Sequence, residues 1–172
     1  MLRLVSPADE YRDSYLAALR EFQAEGRYAD KDLAELARDF PAYVRGLCGR
    51  ADRAHVAPGR VPETVLWLVD GGTYVGRLSI RHELNEYLSL IGGHIGYDIR
   101  PSLRRRGYGM QILRLALPHA RALGLARVLV TCDETNIASR KIIEANGGLL
   151  ENAVTEPGAA EATLRFWITL PA

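Results

Sequence analysis

The segment Ile99-Arg100-Pro101-Ser102-Leu103-Arg104-Arg105-Arg106-Gly107-Tyr108-Gly109-Met110 constrains the fold of this chain more than any other stretch. Before it, residues 94–99 read as a central strand, and Arg100-Pro101 ends that strand. After it, Ile112, Leu115, Ala116, Ala120 and Leu123 recur at helical spacing, which predicts a helix over residues 107–123 with Pro118 awkwardly inside it. A strand that enters a helix through such a turn aims the helix's unpaired N–H groups and the positive end of its dipole at one point. Gly107 and Gly109 lack a Cβ, so a phosphate can approach the backbone there. Arg104, Arg105 and Arg106 add cations for the charged parts of a nucleotide. The spacing suits a diphosphate ligand. It is not a Walker loop, which ends in Gly-Lys-Ser/Thr, nor a dinucleotide fingerprint, because Ile112 stands where the third glycine belongs.

The remaining elements fall around this segment in the order β-α-α-β-β-β-α-β-α-β-β. Leu2–Val5 reads as an opening strand, with Ser6 and Pro7 as cap and first residue of a helix that carries Tyr15, Leu16, Leu19 and Phe22 on one face. A second helix is expected over residues 30–40, with Leu33, Leu36 and Ala37 on one face and Pro41 beyond its end. Residues 46–62 show no period and read as helix end plus loop. Gly71-Gly72 between Glu63–Asp70 and a return strand from Thr73 is a hairpin signal. Residues 82–93 are irregular, with one helical turn. Residues 127–132 form a buried strand, residues 136–145 a short helix closed by Asn146-Gly147-Gly148, and two closing strands follow. With no repeat or linker, residues 1–172 read as one domain.

A formal net charge of +1 argues against a chain that coats nucleic acid, so no nucleic-acid partner is expected beyond the local basic turn. No apolar stretch approaches the roughly 20 residues needed to span a bilayer, so no membrane partner is expected. Met1-Leu2-Arg3-Leu4-Val5-Ser6-Pro7 does not read as a signal peptide, and Cys48 and Cys132 have neither zinc nor disulfide spacing. A reduced, cytoplasmic protein without a bound metal is the expectation.

The run Arg104-x-x-Gly107-x-Gly109 resembles the Arg/Gln-x-x-Gly-x-Gly/Ala pattern of the GNAT acetyltransferase superfamily. One strand later, Asp133-Glu134-Thr135-Asn136-Ile137-Ala138-Ser139 opens a helix that ends at Glu144-Ala145-Asn146-Gly147-Gly148, which looks like the superfamily's second landmark. Arg81-His82-Glu83-Leu84-Asn85 and Gly92-Gly93-His94-Ile95-Gly96-Tyr97 resemble a bacterial subgroup of acetyltransferases. The resemblance implies an α/β fold with a mixed, mostly antiparallel central sheet, splayed central strands and flanking helices. It implies acetyl-coenzyme A as acyl donor and direct attack by an amine in a ternary complex. A small-molecule or peptide amine is the implied acceptor, and a homodimer is common in the family.

By the same resemblance, backbone groups near Ile99 pair with the pantetheine arm. Backbone N–H groups of Arg104, Arg105, Arg106, Gly107, Tyr108, Gly109 and Met110 hold the pyrophosphate. Asn136 bonds the pantetheine or thioester end, with Ser139 beside it. The family's thiolate-protonating tyrosine falls here on Ile143, which has no proton to give. His94, whose imidazole titrates near neutrality, is the candidate base, and Tyr97 a candidate proton donor on the opposite face of the strand. Arg81, His82, Glu83 and Asn85 are candidates for acceptor contact. Glu83 and Glu86 would favour a cationic amine. The competing readings are a non-catalytic acyl-coenzyme A binding or sensing module and a nucleic-acid contact through Arg104, Arg105 and Arg106.

Overall fold

The computed structural model describes residues 1–171. The chain runs β1 (Leu2–Val5), α1 (Arg12–Ala24), α2 (Leu33–Arg38), α3 (Phe40–Gly49), β2 (Glu63–Asp70), β3 (Thr73–Arg81) and β4 (Ile95–Ile99). It continues with α4 (Tyr108–Ala122), β5 (Arg127–Asp133), α5 (Ile137–Ala145), β6 (Leu149–Val154) and β7 (Thr163–Thr169). The strands form two antiparallel sheets, ordered β1-β2-β3-β4 and β5-β7-β6. Between β4 and β5 there is no ladder, which is the expected splay of the central strands, and the pairing within each sheet is antiparallel.

One apolar core fills the space between these sheets and α4–α5. Ile112, Leu113, Ala116 and Ala120 of α4 meet Leu66, Leu68, Leu78 and Ile80 on one side and Val128, Val130 and Phe166 on the other. A second core lies on the other face of β2–β3, under α1 and α3. Tyr15 stacks on Trp67 with centroids 4.9 Å apart and meets Tyr74 edge-on at 5.1 Å. Phe40 and Tyr43 close this cluster at 5.6 Å from Tyr15. Such packing fixes α1 rigidly against the sheet.

Helix starts differ most from expectation. Ser6 and Pro7 open no helix; a short turn at Asp9–Tyr11 leads into α1 at Arg12. Pro41 does not follow a helix but begins one, because the Asp39 side chain accepts from the Ala42 N–H and caps α3. Proline is well placed there, since the N–H it lacks would have no carbonyl partner. The expected helix over residues 30–40 therefore divides into α2 and the start of α3 at Asp39. In α4, Leu113 is buried in addition to the expected face, whereas Leu123 lies outside the helix and is exposed.

Candidate active site

The gap between β4 and β5 is hinged at His94. The His94 N–H donates to the Leu129 carbonyl at 2.7 Å, and the Leu129 N–H donates to His94 Nδ1 at 2.9 Å. Gly93, at φ +62°, turns the chain into this hinge, and a Cβ there would sit 2.6 Å from the Leu129 oxygen. On the other side of β4, Arg81 donates to the His94 carbonyl at 2.8 Å and Arg100 to the Val75 carbonyl at 2.8 Å. Antiparallel alternation then turns the N–H and C=O groups of Ile95, Tyr97 and Ile99 away from β3 and into the gap. This free edge can accept an extended chain.

The hinge engages the ring of His94, the base candidate named above. Its Nδ1 lone pair is engaged by a backbone N–H, so Nε2 carries the proton in the neutral ring. Burial, with Arg81 and Arg127 nearby, pushes its pKa down to about 4. The ring has no lone pair to take a proton from an amine.

In the loop from Leu103 to α4 one expected donor is already used, because the Arg104 N–H donates to the Pro101 carbonyl at 3.2 Å. Gly107 caps α4 at φ +82° without a side-chain partner, and Arg105 is also left-handed at φ +62°. The first bond of α4 runs from the Gln111 N–H to the Gly107 carbonyl at 3.2 Å, leaving the N–H groups of Arg105 through Met110 without carbonyl partners. A Cβ on Gly107 would meet nothing within 4 Å, so the space above it is open. Gly109 serves differently: a Cβ there would lie 2.6 Å from Ile142 Cδ1, so its smallness seats α4 against α5. The Asn146 amide donates to the Met110 carbonyl at 3.4 Å and holds the same two helices together.

The three arginines separate. Arg104 turns back to α1, where Nη1 and Nη2 each reach a Glu25 oxygen at 2.8 Å and Nε donates to the Ile99 carbonyl at 3.1 Å. Arg105 and Arg106 are exposed. Glu21, one turn before Glu25, accepts from Arg100 Nε at 2.8 Å and from the Ser102 N–H at 3.0 Å. The sequence reading missed this pair of carboxylates, Glu21 in the last turns of α1 and Glu25 at its C-terminal cap, spaced by four. Tyr108 sends its hydroxyl 3.3 Å to Asp70, so only its backbone faces the loop.

At the far end of the gap is a cleft of about 270 Å³, lined by Tyr97, Thr131, Cys132, Asp133, Asn136 and Ser139 among others. Tyr97 and Ser139 share a hydrogen bond of 3.1 Å between their hydroxyls. Burial raises the Tyr97 pKa, which keeps the phenol protonated. Asn136 caps α5 by accepting from the Ser139 N–H at 3.0 Å, which positions that serine. Cys132 and Asp133 were not expected at a site, yet both line this cleft from the end of β5. Ile143 is fully buried in the core and faces no cleft. Among the described residues, no three His, Cys, Asp or Glu side chains are grouped to hold a metal ion.

A larger cleft of about 820 Å³ adjoins it, between residues 50–63 and the turn at Leu88–Gly92. Arg81 lines both clefts. Asn85 lines the larger one, donating to the Gly59 carbonyl at 3.0 Å and accepting from the Leu88 N–H at 2.9 Å. His82 lines neither cleft: its Nε2 bonds Thr64 at 2.8 Å. Glu83 pairs with Arg53 at 2.5 Å and fastens the loop rather than lining the cleft.

A free N–H turn facing a free strand edge, with a hydroxyl pair at the far end of the gap, invites comparison with known acyltransferases. The family described as an acetyltransferase (GNAT) domain matches residues 2–148. The chain belongs to the GNAT acetyltransferase family. It is accordingly an acetyltransferase that takes its acetyl group from acetyl-coenzyme A and delivers it to an amine. No curated protein sequence matches the chain.

Solved structures share the fold at low identity. One is an acetyltransferase from Salmonella typhimurium that modifies the N-terminal serine of ribosomal protein L7/L12, with TM-score 0.67, 18% identity and coverage of 99% of this chain and 95% of that one. Another is the microcin C7 self-immunity acetyltransferase MccE in complex with acetyl-CoA and AMP, at TM-score 0.68 and 12% identity, covering 98% and 92%. A third is a spermidine N-acetyltransferase chimera of Vibrio cholerae SpeG and hSSAT, at TM-score 0.64 and 15% identity, covering 98% and 95%. Among the described residues, no helix of this chain is long and apolar enough to cross a membrane.

Proposed function

We propose that this GNAT domain binds acetyl-coenzyme A along the β4–β5 gap and acetylates an amine presented from the larger cleft, by direct attack within a ternary complex. The observation that carries this reading is the combination of the N–H run at Arg105–Met110 with the outward N–H and C=O groups of Tyr97 and the outward N–H of Ile99, whose carbonyl Arg104 already engages. The turn matches the charge of a pyrophosphate. The strand edge matches the amides of a pantetheine arm, and it lies between the turn and the smaller cleft.

The chain's own groups then divide the chemistry. The Tyr97 N–H, turned into the gap, is the donor for charge that develops on the thioester oxygen of the donor substrate. The Tyr97 hydroxyl, protonated and bonded to Ser139, supplies the proton for the departing thiolate and takes the place of the family tyrosine that Ile143 replaces. Asn136 orients Ser139. His94 is a positioning residue that sets the width of the gap. The amine loses its proton to water, with Asp133 the one carboxylate on the wall of the smaller cleft.

Calorimetric titration with acetyl-coenzyme A, followed by a thiol-release assay with an amine panel, tests the reading. Micromolar binding and acceptor-dependent thiol release are expected. Binding without release for any amine would instead favour a sensing module, and no binding by the folded chain would sink the reading.

A further inference from the structure

The larger cleft has a charge opposite to the one that Glu83 and Glu86 suggested. Its wall carries Arg50, Arg60 and Arg81, with Glu63 as the one carboxylate. Glu63 is already taken by Arg50 at 2.8 Å. Arg60 and Arg81 form no ion pair among the described residues. Glu83 cannot compensate, because Arg53 neutralises it and it does not line the cleft.

Arg81 stands where the two clefts meet. Its Nη1 donates to the Gly92 and Gly93 carbonyls at 2.8 and 2.9 Å, which fixes the guanidinium in place. Its Nη2 keeps no protein partner and lies over Gly96, 3.8 Å from where a Cβ would stand. Burial pushes the Arg81 pKa down; the nearby Glu63 carboxylate works against this, while repulsion from Arg77 and Arg60 adds to it. A half-buried guanidinium with an unused N–H edge and cationic neighbours gains most from an added anion. A polyamine would meet only like charge there.

We infer that the acceptor is an amine that carries its own carboxylate or phosphate a few bonds from the nitrogen, with that anion paired to Arg81 and Arg60. Resting on the acetyltransferase reading above, this narrows its substrate class. An anion held at the shared guanidinium leaves the amine within reach of the smaller cleft, where Tyr97 and Ser139 lie. Free acidic amino acids, phosphorylated amines and peptide N-termini followed by acidic residues share this chemistry.

The test is calorimetric binding to the chain saturated with coenzyme A, using matched probes. These are L-glutamate against L-glutamine, O-phosphoethanolamine against ethanolamine, a Ser-Glu-Glu peptide against Ser-Gln-Gln, and spermidine. At least one anionic member is expected to bind about tenfold tighter than its neutral partner and tighter than spermidine. The pair with the largest ratio identifies the source of the anion. Arg60→Gln, at an exposed position, is expected to reduce that ratio to below about threefold while leaving coenzyme A affinity unchanged. Arg81→Lys, which keeps the charge and loses the fork, is expected to reduce it too. Tighter binding of spermidine or of the neutral probes overturns the inference. So does an unchanged ratio in both variants, or no binding of any amine while coenzyme A binds normally. Failure of coenzyme A itself to bind overturns both this inference and the function it rests on.

Discussion

The proposed donor side of this site, from Ile99 to Met110, offers main-chain N–H and C=O groups, whereas the proposed acceptor side offers side chains drawn from residues 50–63, Arg81 and the turn at Leu88–Gly92. The first is a local device: one strand end, one left-handed turn and one helix start, contiguous in sequence. The second is assembled from segments that meet only after folding. A backbone site depends on φ and on the absence of a Cβ, so few substitutions are compatible with it. A side-chain site can exchange its charge without disturbing the fold. The same frame can therefore keep its donor and change its acceptor, as the differing acceptors named for its structural neighbours also illustrate.

The contrast breaks if the donor side tolerates a side chain. Gly107→Glu places a carboxylate in the N–H turn and forces a left-handed φ of +82° on a residue with a Cβ, yet meets no neighbour that would unfold the chain. Acetyl-coenzyme A affinity is expected to fall about a hundredfold, equivalent to ~2.7 kcal/mol. Circular dichroism should remain that of the parent. Retained affinity in the folded variant would move the pyrophosphate away from this loop.

A smaller effect sharpens where binding ends and chemistry begins. Tyr97→Phe removes the hydroxyl bonded to Ser139 and leaves the backbone N–H untouched. The turnover number is expected to fall about tenfold or more, with donor affinity within about twofold of the parent. Loss of the alkaline limb of the rate profile should accompany it, because this phenol is the group that must stay protonated. Equal turnover in Tyr97→Phe would assign the proton to water or to another donor.

How much could be read in the sequence follows the same division. Gly71-Gly72 announced the β2–β3 hairpin because the turn's chemistry is local, and Glu63–Asp70 was bounded correctly. The local structure around Gly107 was legible because strand, turn and helix start are adjacent. Pro41 misled because a proline is compatible with the residue after one helix and with the first turn of the next. Only Asp39 at the cap decides between them. His94 looked like a base because its type and position suited one. The Leu129 N–H that occupies its lone pair comes from a strand 35 residues away. Arg60 offered no signal, since only the fold brings it near Arg81.

The role of His94 has its own test, in stability rather than rate. The folded-state pKa of about 4 lies below the ordinary 6.5, so the unfolded chain binds the proton more readily between these values. The contribution is complete above about pH 6.5 and is lost as the pH falls toward 4, at up to about 1.4 kcal/mol per unit. His94→Asn keeps an acceptor for the Leu129 N–H and removes the titration. Urea unfolding from pH 4 to 7 should show a shallower pH slope in this variant, with turnover within about threefold of the parent. A large loss of turnover with an unchanged slope would restore the base.

The smallest expected effect falls on the residue that heads the family-like motif. Arg104 engages Glu25 with both Nη atoms and the Ile99 carbonyl with Nε, so its donors are already committed within the fold. Arg104→Gln is expected to weaken acetyl-coenzyme A binding by less than about twofold at physiological salt, in keeping with the small net value of a partly exposed ion pair. Arg105→Gln and Arg106→Gln, at exposed positions, should each weaken it about threefold, with the difference screened out at high salt. Glu25→Gln separates the alternatives for Arg104. If the pair only pins the loop to α1, both variants lose the same small amount and neither loss depends on salt. If Arg104 leaves Glu25 to meet a phosphate, Arg104→Gln loses affinity steeply and salt-dependently, while Glu25→Gln, by freeing the arginine, binds more tightly than the parent.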